Sequence, residues 1–277
     1  MMRLEALTNQ NQAKFKDRPL VLAAGLPFGP AGQEEEPVIF LWPHLSASQR
    51  EALARSRRSA DRALRLLVRL LLVQALDLKG LAGIELIKFL DWDAFGRPIL
   101  KNSNFFISFS HSFPFAACAL SLEPIGADVE NALSLGPNPE AHSPNKAAFQ
   151  PSDFKSFFNP EEILAIQKAN FPASELIRRF TIKEAILKAK GTGLLTDPLN
   201  VDSSVGSGRK ANEGLFSQPR EKGPQIKENR PLLWWHLDLA PNFWLTCATP
   251  GWFKPEPAVT LNGTKIWPFT GSMIDND

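Results

Sequence analysis

Asp128 and Glu130 stand two residues apart in Ile125-Gly126-Ala127-Asp128-Val129-Glu130, so an extended backbone turns both carboxylates to one face. Hard oxygen donors placed in this way suit magnesium, which takes six oxygens and keeps several waters; the same pair also suits a solvated strand face. Glu184 and Lys188, four apart on a helical segment, form either an ordinary ion pair or a metal carboxylate beside a phosphate-binding ammonium. Lys183, Lys188 and Lys190 gather just before Gly191 and would add cations for a polyphosphate. In Ser110-His111-Ser112 the imidazole and its flanking hydroxyls can donate to a phosphate, or the histidine can be a hydrogen-bonded structural group. No companion Cys or Asp gives His111 the arrangement of a hydrolytic triad. Arg97, in the turn Gly96-Arg97-Pro98, presents one more cation.

The elements that must position these groups follow from periodicity and punctuation. Residues 1–36, rich in Gln, Asn, Gly and Pro, read as an irregular lead-in. Val38 to Trp42 reads as a strand, and Ser48 with Glu51 as the capping box of one long helix reaching about Leu78. Ile84 to Phe89, Phe105 to Phe109 and Ala116 to Leu122 read as strands, completing a first α+β half over 37–124. A second half over 125–277 begins with the strand carrying Asp128 and Glu130. It continues through a polar loop from Asn131 to Asp153 and a helix started by Asn159-Pro160-Glu161-Glu162. A helix from Ser174 to Lys190 stops at Gly191, and strands at Leu232 to Leu239 and Phe243 to Thr249 follow. The segment 202–230, rich in Gly, Ser, Lys and Pro, reads as a flexible surface loop. The recurrence of order predicts two similar α+β halves, with the active site in the cleft between them.

Bulk properties narrow the function classes. With 277 residues, 44% hydrophobic, the chain can bury one large core or two modest ones. The 31 basic and 29 acidic residues leave a net charge of +2, which gives no global field for nucleic acid or a membrane surface. Cys118 and Cys247, each in an apolar run, read as reduced buried thiols and a cytoplasmic location. The N-terminus lacks the layout of a signal peptide, and the uncharged stretch from Asn102 to Leu122 carries too many polar residues for a membrane span, so it reads as a pair of buried strands.

Taken in order, Gly96-Arg97-Pro98, Ile107-Ser108-Phe109-Ser110-His111-Ser112, Ile125 to Glu130 and the run Arg179 to Leu194 resemble the long, two-halved 4'-phosphopantetheinyl transferases of the Sfp type. That family's pattern is Gly-Lys-Pro, a Ser-His-Ser strand, Gly-Ile-Asp-x-Glu and Trp-x-x-Lys-Glu-(Ala/Ser)-x-x-Lys-x-x-Gly. Arg97 stands where the family has Lys, Ala127 where it has Ile, and Phe180 where it has Trp. The resemblance implies that Asp128, Glu130 and Glu184 bind Mg2+, and that Arg97, Ser110, His111 and Lys188 contact phosphates of coenzyme A. It further implies transfer of the 4'-phosphopantetheine arm to a serine of an apo acyl or peptidyl carrier protein, releasing 3',5'-ADP. In that reaction Glu184 and Lys188 are the catalytic pair, either Glu184 or a water takes the serine proton, and the enzyme is expected to be a monomer. Family members use basic residues around the first long helix for the 3'-phosphate, and whether Arg55, Arg58 or Arg62 corresponds to them is left open by the sequence. Two other readings of the same cluster are a different metal-dependent phosphoryl enzyme, such as a phosphodiesterase, and a silent carrier-binding module.

Overall fold

The computed structural model describes residues 18–26, 38–132, 151–192, 196–203, 232–237, 239–240, 242–250, 252–255, 259–261 and 264–272. Most of the lead-in, most of the loop after Asn131 and nearly all of the 202–230 segment lie outside them. The described elements mix helix and sheet, consistent with an α+β fold.

Strand β1, Leu20–Gly25, lies within the stretch expected to be irregular. It follows the polar Lys16-Asp17-Arg18, but Leu20-Val21-Leu22-Ala23-Ala24 is apolar on both faces, as a strand covered on both sides must be. Leu20, Leu22 and Ala24 pack against a long helix, whereas Val21 and Ala23 pack toward a second sheet. That helix does not run unbroken from Ser48. Helix α1, Ala47–Ala54, is capped by Ser46, which accepts from Gln49 N, and α2 starts afresh at Ser59 and ends at Leu78. The break falls at Arg55-Ser56-Arg57-Arg58, where three like charges without an intervening acid work against helical continuity. The strand expected at Val38 to Trp42 is instead a 3-10 helix, Ile39–His44. Val38, Leu41 and Leu45 are buried while Ile39 and Phe40 are exposed, a helical and not an alternating pattern. Ile84 to Phe89 is likewise helical turn, and the extended segment begins only with β2, Leu90–Trp92.

Strands β2 and β3, Pro98–Leu100, make a small hairpin; β4, Phe106–Ser112, and β5, Phe115–Ser121, follow as an antiparallel pair. The uncharged 102–122 stretch is thus the expected pair of strands, and no helix among the described residues is long and apolar enough to cross a membrane. Strand β6, Gly126–Asn131, leads to α3, Pro160–Lys168, and α4, Pro172–Lys190. The capping box at α3 is complete: Asn159 Oδ1 accepts from Glu162 N at 2.9 Å, and Asn159 N donates to Glu162 Oε2 at 3.0 Å. Strands β7, Leu233–Leu237, and β8, Phe243–Thr249, join β6 in a three-stranded antiparallel sheet of order β6-β8-β7.

The chain does not close there. Three more strands, β9 (Trp252–Pro255), β10 (Val259–Leu261) and β11 (Thr264–Ser272), return to the first sheet, where β11 pairs with β1. Strands β9 to β11 therefore extend the sheet that contains β1, β5 and β4. The two sheets meet through small side chains: Ala117 and Ala119 of β5 and Val21 and Ala23 of β1 face Ala127, Val129, Leu245 and Cys247. Helix α2 covers the outer face of the first sheet, and α4 packs Ile182, Ala185, Ile186 and Ala189 with Trp234 and Ala248 of the second.

Candidate active site

Strands β4 and β6 are edge strands of different sheets, lying side by side without pairing as strands. Strand β6 pairs with β8 on one side, which leaves outward N–H groups that must find acceptors. The alternate serines of β4 supply them. Ser108 Oγ accepts from Ala127 N at 3.0 Å, Ser110 Oγ from Val129 N at 3.2 Å, and Ser112 Oγ from Asn131 N at 3.2 Å. Both strands repeat every second residue, so three consecutive steps match.

This arrangement turns Ala127 and Val129 into the sheet interface and Gly126, Asp128 and Glu130 to the other face, toward α4. Gly126 sets how near the helix comes. A Cβ there would stand 1.9 Å from Ala185 O and 2.5 Å from Ala189 N, so only glycine lets α4 lie directly on the strand. The close approach brings Lys188 Nζ to 2.6 Å from Asp128 Oδ1 and 3.3 Å from Ala127 O. Asp128 is buried; Oδ1 also accepts from Ser110 Oγ at 2.8 Å, while Oδ2 has no hydrogen-bond partner among the described residues. Lys188 thus pairs across the site with Asp128, not along its own helix with Glu184.

Glu130 and Glu184 complete the cluster. Burial, reinforced by the neighbouring Asp128 charge, pushes the Glu130 carboxyl up to about 7, against the opposing pull of Ser112 and Lys188. Burial and then Asp128 raise Glu184 as well, with Lys188 opposing. Three carboxyls that feel one another in a poorly hydrated space, with one ammonium among them, form a site that a divalent cation would relieve. As placed, no three or more His, Cys, Asp or Glu side chains among the described residues stand close enough together to hold a metal ion. The orphaned Asp128 Oδ2 and the hard-oxygen donor set nonetheless fit magnesium, with water and substrate oxygens making up the rest of its coordination.

The cations expected around the site are distributed unevenly. His111 is exposed on β4, facing away from the serine ladder; partial burial, Arg65 and Lys188 lower its imidazole pKa, with Asp61 opposing them. Arg65, exposed on α2, is the cation that sequence reading missed among the arginines of that region; its spacing of four from Asp61 was the available signal. Arg55 pairs instead with Glu51, and Arg62 donates to Ser56 O. Arg97 is held by Asp93, with Nη2 at 2.6 Å from Oδ2, and lies against Gly191 at the C-terminal end of α4. A Cβ at Gly191 would displace the Arg97 guanidinium, and the φ of 72° is what favours glycine here. Arg97 and Lys188 line a common crevice with Ile99, Phe105, Ile107 and Ile125. Ser110 Oγ donates to Asp128 Oδ1 and accepts from Val129 N.

Lys183 is a correction. It is completely buried, its Nζ 2.7 Å from Glu162 Oε2 and donating to Pro198 O at 2.9 Å, away from the carboxylate cluster. One residue along a helix turns the side chain by about 100°, so Lys183 and Glu184 serve different neighbours. Phe180 stacks on Phe157 with ring centroids 4.8 Å apart.

Residues 124–238 match the model of the 4'-phosphopantetheinyl transferase superfamily. The matched stretch contains Asp128, Glu130, Glu184 and Lys188, whereas Arg97, Ser110 and His111 precede it. A comparison with curated proteins gave no match.

Proposed function

We propose that this protein transfers the 4'-phosphopantetheine moiety of coenzyme A to a serine of an apo carrier protein, releasing 3',5'-ADP, as a two-halved transferase of the Sfp type. The observation that carries the reading is the meeting of Asp128, Glu130, Glu184 and Lys188 on β6 and α4, inside the segment that matches the superfamily. In this reading the halves are the two sheets with their helices, the first including the returning strands β9 to β11, and the active site lies where β4 meets β6.

Asp128, Glu130 and Glu184 would hold Mg2+, which when bound neutralises charge on the coenzyme A pyrophosphate. Arg97 and His111 hold phosphate groups from the side of the first sheet, with Arg97 already oriented by Asp93. Lys188 moves from Asp128 to the pyrophosphate and offsets the charge that develops on the leaving phosphate. Glu184 or a water takes the proton of the carrier serine. The serine oxygen bonds to the β-phosphorus, the bond from that phosphorus to the bridging oxygen breaks, and 3',5'-ADP departs.

Incubation with coenzyme A, Mg2+ and an apo acyl or peptidyl carrier tests this reading by intact mass. The expected result is a gain of one phosphopantetheine on the carrier. Hydrolysis of coenzyme A with no gain on any carrier would favour a phosphodiesterase in its place.

A further inference from the structure

Arg97 is held from two sides. Asp93 divides its carboxylate between backbone and side chain: Oδ1 accepts from Phe95 N at 2.9 Å and from Arg97 N at 3.0 Å, which fixes the turn into β3. Oδ2 accepts from Arg97 Nε at 2.7 Å and from Nη2 at 2.6 Å, which fixes the plane of the guanidinium. Neither bond uses Nη1, and that nitrogen lies over Gly191 at the end of α4. A Cβ built on Gly191 would stand 1.6 Å from Nη1 and 2.7 Å from Cζ, so the guanidinium occupies the space that a side chain there would fill. Gly80, after α2, has a φ of 78° against 72° at Gly191, yet nothing lies within 4 Å of a Cβ built on it. The two glycines share a backbone conformation and differ in what they make room for.

We infer that Gly191 and Asp93 are positioning residues for Arg97, the glycine by leaving a seat for the guanidinium and the aspartate by setting its plane. The inference rests on the transferase reading for its coenzyme A. Arg97 and Lys188 line one crevice, so the seat on α4 puts the cation of the β2–β3 turn beside the cation of the helix. A long side chain ordered before binding spares the ligand the cost of ordering it, roughly 3- to 10-fold in affinity for one arginine. A side chain at Gly191 displaces only the tip of a flexible arginine, so its effect beyond the backbone falls on ligand affinity and not on stability. Asp93→Asn keeps the Oδ1 carbonyl for both backbone N–H groups but puts an NH2 where Oδ2 accepted from the guanidinium.

Coenzyme A affinity, measured by isothermal titration calorimetry on the full chain with Mg2+, tests the seat with Gly80→Ala as control. G191A and G80A should lower Tm alike, because each places a Cβ at positive φ. Only G191A and D93N should raise the coenzyme A dissociation constant, by roughly 3- to 10-fold. Arg97→Ala should also weaken binding, and adding G191A or D93N to it should change the constant no further. Wild-type affinity in G191A, an equal loss in G80A, tighter binding by D93N, or losses that persist in the R97A background would overturn the inference, while coenzyme A binding by the wild type would still be consistent with the transferase reading. If G191A does not fold, D93N, which leaves the backbone bonds of the turn in place, decides through the same R97A cycle. A wild-type protein that binds no coenzyme A would overturn both.

Discussion

Lys183 and Glu184 are neighbours on α4, yet they sit in opposite electrostatic situations. On the Lys183 side every charge is answered. Glu162 receives Lys183 and Ser203 N, Arg179 reaches Ser203 and Glu175, Glu175 also takes Arg178, and Arg178 contacts His236, whose other nitrogen meets Thr246. On the Glu184 side three carboxyls share one ammonium, Asp128 Oδ2 has no partner among the described residues, and two of the carboxyls are raised. A closed network fixes where α4 lies, and an open one leaves charge for a ligand to satisfy. The same helix thus anchors with one face and presents chemistry with the other.

Substitutions should separate the two faces. The largest effect is expected at Glu184→Gln, which should lower carrier modification by roughly 10³-fold, corresponding to several kcal/mol of transition-state stabilisation, and leave Tm no lower than wild type. A Tm drop without loss of transfer would show that Glu184 belongs to the structural network. Next is Glu162→Ala, which strands a buried ammonium and should cost about 3–5 kcal/mol of unfolding free energy by urea titration. A change below about 1 kcal/mol would mean that the pair is as dispensable as a surface bridge.

Gly126→Ala lies between the two faces because it forces α4 away from β6. A cost of about 1–3 kcal/mol by denaturant, together with weaker Mg2+ dependence of transfer, is the expected result. Wild-type metal dependence in that variant would contradict the close approach as the device that assembles the site.

The smallest effect is in pH. The folded protein holds the Glu130 proton to about 7, whereas the unfolded chain releases it near 4.5. Between those values the folded state binds more proton, so this group's contribution to stability is lost as pH rises through the window. Without divalent cation, the Tm of the wild type should fall relative to Glu130→Gln as pH goes from about 5 to 7.5, and added Mg2+ should reverse the fall. Parallel curves for the two proteins would remove Glu130 from the open face.

Much of the open face could be read from the chain. Period-two spacing placed Asp128 and Glu130 on one side of a strand, Gly191 ended the helix, and the Asn159 cap was complete, because each depends on residues close in sequence. The closed face was not legible, since Lys183 finds Glu162 only after α3 folds back onto α4. Burial alone distinguishes Lys183 from Lys188, and burial is a property of the assembled fold. Strand β1 was hidden between the polar Lys16-Asp17-Arg18 and a run rich in Gly and Pro, and β9 to β11 return to a sheet begun more than two hundred residues earlier, a pairing that local pattern does not encode. The serine ladder escaped for the same reason: Ser-x-Ser-x-Ser shows its purpose only beside the free edge of β6.

The most direct measurement is carrier loading followed by intact mass in EDTA, then with Mg2+ restored, for wild type and Glu184→Gln side by side. The account predicts no transfer in EDTA, transfer by the wild type on adding Mg2+, and little or none by the variant. Loading at full rate in EDTA, or by Glu184→Gln at the wild-type rate, would contradict it.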